Sequence, residues 1–332
     1  MSTIIIFPGQ GSQRIGMASD FYDAHQEARD VFEEASDTLN LDMARLCFTE
    51  NEQLHLTEYT QPSILTAEIA MLRSLEAEYG LEGNAFAGHS LGEYTALVAA
   101  GVAPLNSALK VVRERGRRMQ QAVAPGIGSM AAIMMPDLPL SLLAECLDGL
   151  RANIANHNAP NQVVISGEAG DVQTAVERFQ DTTIGMRAKV RMLTVSAPFH
   201  SSLMETIEAG FRSVLFDATT CWSPERSTSV ASNTTGVMHT GTRDGLIEQL
   251  TRQISGTVHW VDNMNVLFAM APERIIEIGP GRPLRGFLRG VHGAADEIQL
   301  DSITNLVSAR RSLGIRGPIS SPVGGLPVAP PA

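Results

Sequence analysis

The sequence predicts an α/β fold with a smaller α+β unit inserted into it, and three observations carry that expectation. Thr3 to Phe7 is a β-branched and aromatic run closed at once by Pro8-Gly9-Gln10-Gly11, the pattern of a buried strand ending in a tight turn. Phe86 to Gly88 is a second short strand candidate that passes through Ser90 into the Ala-rich stretch Tyr94 to Ala103, giving strand, sharp turn and helix in that order. From Met130 to Val195 strand and helix candidates alternate, and after Pro198 the α/β pattern returns.

Apolar residues recur at helical spacing from Phe21 to Leu46 and from Thr60 to Tyr79, so both segments read as surface helices on a sheet. Met130–Met134, Gln162–Ser166 and Lys189–Val195 read as strands, separated by helices at Leu140–Leu150 and Val172–Phe179. That β-α-β-α-β order suits an inserted α+β unit. Ser229–Asn233 and Arg274–Ile278 are further strand candidates, with a helix over Asp244–Ile254 between them. There is no internal repeat. Gly317 to Ala332 is dense in Pro and Gly and reads as a flexible tail or interdomain linker.

At 332 residues the chain has room for roughly two domains, or for one large domain with an insertion. Its 44% hydrophobic and 18% charged residues exclude wholesale disorder. Lys and Arg number 25 against 36 Asp and Glu, a net charge of -11 that repels phosphate backbones and anionic membranes. Nucleic acid is therefore not expected as a partner. Cys47, Cys146 and Cys221 are scattered without C-x-x-C spacing, which gives neither a disulfide framework nor a zinc site and suits buried thiols in a reducing compartment. No window of 18 uninterrupted apolar residues occurs, and Met1 to Gln10 lacks the form of a cleaved signal, so the expected setting is the cytoplasm without a membrane.

Gly88-His89-Ser90-Leu91-Gly92 matches G-x-S-x-G, in which small residues flank a serine held on a strained strand-to-helix turn. The alternative is a merely structural turn, but the preceding strand and following helix supply the context the motif requires. The new helix N-terminus would offer the Leu91 N–H to an oxyanion. A serine needs a base, which directs attention to the histidines that follow it: His157, His200, His239, His259 and His292. His200 lies just beyond a strand candidate and Pro198, where a loop can deliver it to the sheet edge, and no acidic partner for it stands out. Arg115 sits on a predicted helix beside Arg113, Arg117 and Arg118, where most such charges are solvated.

Six blocks together resemble the malonyl-CoA:acyl carrier protein acyltransferase family: Phe7 to Gln13, Gly88 to Tyr94, Arg115 to Gln120, Asn156 to Pro160, Ser196 to His200 and Glu277 to Gly281. They occur in that family's order. The resemblance implies an α/β-hydrolase-like large subdomain with a parallel sheet, over 1–126 and 197–316, and a ferredoxin-like small subdomain over 127–196, followed by the 317–332 tail. It implies Ser90 as the acylated nucleophile and His200 as its base, oriented by a main-chain carbonyl from Ser255 to Trp260, at His259, rather than by a carboxylate. Backbone N–H groups of Gln10 and Leu91 would form the oxyanion hole. Arg115 would grip the free malonyl carboxylate through two parallel hydrogen bonds, with Phe199 and Asn158 at the substrate. Phe199 resembles malonyl-selective members more than those accepting methylmalonyl. Met130, Met134 and Met204 are pocket candidates, although such methionines are more often core filler.

The resemblance further implies a ping-pong transfer from malonyl-CoA to the phosphopantetheine thiol of an acyl carrier protein, with neither metal nor cofactor. The setting would be fatty-acid synthesis or polyketide assembly, where such enzymes also occur as parts of larger synthases. Carrier proteins are usually acidic, so an acidic enzyme needs a local basic dock, for which Arg282, Arg285, Arg289, Arg310, Arg311 and Arg316 are candidates. His259 stands where relatives more often carry Gln or Arg, and His157 is a pocket or loop residue. An acyl hydrolase of the same fold and a non-catalytic carrier-binding module are the rival readings. An ordinary esterase would explain Ser90 but not Gln10 or Arg115.

Overall fold

Thr3–Phe7 is buried at every position, as its uninterrupted Thr-Ile-Ile-Ile-Phe sequence requires of a strand covered on both faces. It is β1 in the computed structural model, which describes residues 2–288, 291 and 298–314. The further strands are β2 (Ala85–Gly88), β3 (Gly128–Met134), β4 (Ala152–Ala159), β5 (Gln162–Glu168), β6 (Lys189–Met192), β7 (Arg274–Ile278) and β8 (Gln299–Ile303). One sheet is parallel, in the order β2-β1-β7-β8, and its main core packs helices Gln26–Leu39, Thr57–Tyr79 and Leu105–Gln121 against it. The parallel sheet takes up β7 directly after β2 in chain order because the chain between those two strands makes the other sheet.

That second sheet runs β4-β5-β3-β6 and is antiparallel throughout. Helices Leu140–Leu147 and Ala169–Thr182 cover one face, burying Leu143, Val172 and Phe179 against Ile133 and Ile165. The chain order β-α-β-β-α-β with this strand order is the ferredoxin-like arrangement. Its other face carries a smaller apolar cluster of Met130, Ala132, Ala155 and Val164 with Leu193 and Phe199 against it. β4 is tied to the large subdomain by the segment before helix Trp260–Phe268, where the His157 N–H donates to the Val258 carbonyl and the Val258 N–H to the Ala155 carbonyl, at 3.0 and 2.8 Å, and Val258 packs with Ile4 and Ile6 of β1.

Several elements depart from the sequence reading. β4 was not anticipated, because Ala-Asn-Ile-Ala-Asn-His-Asn-Ala is poor in strand-favouring residues. Its place comes from β5 on one side, with two register shifts, and from Val258 on the other. The long helical stretch Phe21–Leu46 is three helices, Ser19–Ala24, Gln26–Leu39 and Met43–Phe48, broken by extended His25 and left-handed Asn40. Ser229–Asn233 forms no strand. Only Val230 bridges Phe86 and Ala231 bridges Met238, after which Ser232 and Asn233 turn toward the end of β2. The β6 strand stops at Met192, Leu193 makes one more hydrogen bond to Met130 of β3, and residues 193–196 line a cavity as the chain leaves the sheet. Helix Trp260–Phe268 and the closing pair β8 and Leu306–Leu313 were also unforeseen.

Cys47 and Cys146 are buried, but Cys221 is exposed, against the expectation of three buried thiols. Among the described residues no helix is long and apolar enough to cross a membrane. The 317–332 stretch and His292, Arg289 and Arg316 lie outside the described residues.

The glycines of the G-x-S-x-G motif have a steric reason. A Cβ on Gly88 would stand 1.8 Å from the Gly92 carbonyl carbon, and one on Gly92 would stand 2.2 Å from the Phe7 carbonyl oxygen. Neither contact is possible, so the helix Leu91–Ala99 packs this close to β1 only through glycine. Gly92→Ala is expected to destabilise the protein by more than about 2 kcal/mol, read as a lower urea midpoint with the m-value unchanged.

Candidate active site

Ser90 occupies the turn between β2 and helix Leu91–Ala99 with φ 54° and ψ -102°. This left-handed backbone costs a non-glycine residue on the order of 1–3 kcal/mol, and the surroundings hold it in place. Asn233 Oδ1 accepts the Ser90 N–H at 2.7 Å while Asn233 Nδ2 donates to the Gly88 carbonyl at 2.8 Å. Gln253 Nε2 donates to the Ser90 carbonyl at 2.9 Å. With both peptide groups engaged, the side chain projects into a cavity of about 610 Å³, within the usual range for ligand pockets.

Ser90 Oγ lies 2.7 Å from His200 Nε2. His200 also has a left-handed backbone, φ 57°, at the end of the Pro198-Phe199 turn. Its Nδ1 is 2.8 Å from the Gln253 carbonyl oxygen. A carbonyl only accepts, so Nδ1 carries the proton and Nε2 presents its lone pair to the serine hydroxyl. The orienting carbonyl thus belongs to Gln253 and not to His259. His259 caps helix Trp260–Phe268, and its carbonyl accepts the Asn263 N–H.

Burial pushes the His200 imidazole down to about 3, and the positive charge of Arg115 and the neighbouring His89 push it the same way. The Gln253 carbonyl opposes this shift without reversing it. At neutral pH the ring is therefore unprotonated, the form a base needs. In the unfolded chain a histidine titrates near 6.5. Between that pH and about 3 the unfolded state binds a proton that the folded state refuses, so this site lowers stability as pH falls through the window.

Arg115 lies on helix Leu105–Gln121 and is only 1% exposed, so the solvated-charge reading does not hold. Its Nη1 donates to Gln61 Oε1 at 2.9 Å, and its Nη2 donates to Gln253 Oε1 at 3.0 Å and to Ser90 Oγ at 3.1 Å. The Tyr94 ring lies 5.4 Å from the guanidinium carbon. Every hydrogen-bond partner is neutral, and Nε is buried without one among the described residues. Burial lowers the guanidinium pKa, yet a guanidinium remains charged inside a protein. The site thus holds a cation at the serine hydroxyl with no ion-pair partner among the described residues, while buried Glu93, on the far side of Gln253, favours its charge from a distance. Gly116 permits this placement, since a Cβ there would meet the Thr57 carbonyl oxygen at 2.4 Å.

The Gln10 and Leu91 N–H groups have no intramolecular acceptor among the described residues. Leu91 is the first residue of its helix, where the N–H is orphaned by geometry. Gln10 borders the cavity on the turn after β1, with its side chain on Thr57. Phe199, Met130 and Asn156 also line the cavity, whereas Met204 belongs to the core and Met134 lies elsewhere. Asn158 does not line it. It is buried behind His89, whose Nε2 lies 2.7 Å from its Oδ1. Of the other histidines, His239 is buried against Glu93 Oε1 at 2.8 Å, His259 lies beside Asp262, and His157 is partly exposed on β4.

Sequence reasoning missed Gln253, Asn233, Glu93 and Gln61. Glu93 is fully buried, and its Oε2 accepts from Gln253 Nε2 at 2.6 Å and from the Asn233 N–H at 3.2 Å. Glu93, Gln61 and Gln253 share one local sign, a polar side chain inside a helix or at the end of one, whereas Asn233 sits in a turn where a polar residue is ordinary. That sign does not tell which distant groups they serve.

A serine with a carbonyl-oriented imidazole, two free N–H donors beside it and a fixed cation can form and break an acyl ester. The chain belongs to the acyl transferase domain family, whose model matches residues 4–292. Within that class it is 39% identical over 293 residues to the malonyl CoA-acyl carrier protein transacylase of Bacillus subtilis, covering 86% of this chain and 89% of that protein. The crystal structure of the malonyl CoA-acyl carrier protein transacylase from Clostridium perfringens superposes with a TM-score of 0.85 at 32% identity, covering 95% of this chain and 96% of that one. A type II PKS acyl-carrier protein in complex with its malonyl-transacylase is also similar, with a TM-score of 0.84 at 29% identity, covering 95% of this chain and 100% of that one.

The lowered His200 pKa has a kinetic consequence. Modification of Ser90 by a neutral serine-directed phosphonofluoridate is expected to stay flat from pH 7.5 to 5. A fall with a midpoint near 6.5 would show that the imidazole titrates as a solvated histidine.

Proposed function

We propose that this chain moves a malonyl group from malonyl-CoA to the phosphopantetheine thiol of an acyl carrier protein, through an ester on Ser90. The observation that carries the reading is Arg115: a buried, always-charged guanidinium with no acidic hydrogen-bond partner among the described residues, 3.1 Å from the proposed nucleophile. Burying an unpaired charge is costly unless a ligand completes it, and a malonyl ester on Ser90 places a carboxylate within reach of the fork. Acetyl donors lack that carboxylate.

In the proposed reaction His200 Nε2 takes the Ser90 hydroxyl proton as Oγ attacks the thioester carbonyl. The Gln10 and Leu91 N–H groups receive the oxyanion. Collapse expels the coenzyme A thiolate, which His200 protonates. The carrier thiol then gives its proton to His200 and attacks the malonyl-serine ester, the same donors hold the second oxyanion, and its collapse breaks the ester bond and frees Ser90 Oγ, which takes the proton back from His200. Phe199 narrows the cavity beside the acyl group, and Asn158 acts by fixing His89 behind the elbow. No metal or cofactor step is needed, because every proton and bond is accounted for by these groups.

The receiving carrier serves fatty-acid or polyketide chain assembly, and the proposed setting is the cytoplasm. We also propose subdomain boundaries at 126/127 and 196/197. The intact Arg115 site favours transfer over the rival hydrolase reading, because a diacid clamp selects a building block rather than clearing varied acyl groups.

Brief exposure to malonyl-CoA is expected to add one malonyl group by intact mass, and none in Ser90→Ala. Arg115→Ala is expected to lower malonyl loading at least 100-fold, on the order of the 3 kcal/mol attributed to a charge-assisted bond, and to load acetyl better than the parent does. Release of free malonate at the rate of loading, with no adduct, would favour the hydrolase.

A further inference from the structure

From Thr182 to Met204 the chain has no Asp or Glu, although it has 36 in all, yet this stretch carries Arg187, Lys189 and Arg191. All three are exposed, and none of their side chains has a hydrogen-bond or ion-pair partner among the described residues. Two of them lie on β6, the edge strand of the small sheet. Antiparallel pairing sets Arg191 opposite Ala132 and Lys189 opposite Met134, and directly opposed residues share a face. Ala132 clusters with Met130 on the face away from the helices, whereas Val190, opposite Ile133, packs toward them.

The row continues at Leu193, whose N–H donates to the Met130 carbonyl at 2.9 Å. Leu193, Met130 and Phe199 line the cavity that holds Ser90. Lys189, Arg191 and Leu193 therefore form one line out of the cavity mouth, about 7 Å per step. Val195 is exposed at the inner end, and Ile184 and Met186 stand 80% and 54% exposed just before the strand. Cations on an edge strand also deter strand addition. That role does not require them on the cavity side, nor does it explain the exposed apolar neighbours.

We propose that this row of β6, with Arg187 at its outer end, is where the acidic carrier protein docks while its phosphopantetheine reaches Ser90. The proposal rests on the transacylase reading above. Complementary charge on a strip continuous with the cavity mouth sets approach and orientation, while the exposed apolar side chains supply contact area.

The test is the double variant Lys189→Glu, Arg191→Glu, assayed with three probes: malonyl-CoA as donor, free pantetheine as acceptor, and a type II holo-acyl carrier protein as acceptor. Malonylation and transfer to pantetheine are expected to stay within about twofold of the parent, which also shows that the variant folds. Transfer to the carrier protein is expected to lose about tenfold in kcat/KM and much of its salt dependence. The pair Lys189→Arg, Arg191→Lys should retain both. Unchanged carrier kinetics would overturn the proposal. So would an equal loss with malonyl-CoA, which would assign the cations to the coenzyme A phosphates. If the parent protein itself takes no malonyl group, the transacylase reading fails and this docking surface falls with it.

Discussion

The left-handed backbone at Ser90 is the constraint on which the rest of the site depends. A serine does not adopt it unaided, and no single neighbour holds it. Two glycines let helix Leu91–Ala99 press against the end of β1. Asn233 and Gln253 then engage the peptide groups on either side of the serine. The strain is local, and the forces that oppose it come from segments more than 140 residues away in sequence.

Gln253 links the separate functions of the site. Its carbonyl fixes the His200 tautomer, its side-chain oxygen accepts from Arg115, and its side-chain nitrogen holds the Ser90 carbonyl and Glu93. The proposed nucleophile, base and carboxylate clamp are thus registered to one residue. This arrangement also explains the absence of an acid behind His200. A carboxylate there would raise the imidazole pKa and partly neutralise Arg115, whereas a neutral carbonyl fixes the ring and leaves the cation available for substrate. Glu93 satisfies the amides from beneath the elbow and stays away from the cavity.

The two sheets divide the labour. The parallel sheet carries Ser90 and, on the turn after β1, the Gln10 N–H, while helix Leu105–Gln121 beside it carries Arg115. The small sheet closes the cavity with Met130 and, through the chain leaving β6, delivers Phe199 and His200 to it. β4 is tied by hydrogen bonds to Val258, which packs against β1 of the parallel sheet, so the imidazole arrives in fixed relation to the serine.

The sequence by itself determined the α/β class, the strand–turn–helix context of Ser90 and, through six ordered motif blocks, the pairing of Ser90 with His200 and Arg115. Those features were legible because each is local: an apolar run, a glycine spacing, a short block of residue types. β4, the break-up of Phe21–Leu46, the failure of Ser229–Asn233 to form a strand and the roles of Gln253, Asn233, Glu93 and Gln61 were decided only by tertiary structure. A polar strand such as β4 has little propensity of its own, and its pairing partners supply what its sequence lacks. A buried amide or carboxylate looks alike in any helix until its distant hydrogen-bond partners are in place. The shift of the orienting carbonyl from His259 to Gln253 has the same origin: any residue in a loop offers a carbonyl, and only the folded chain decides which one meets the imidazole.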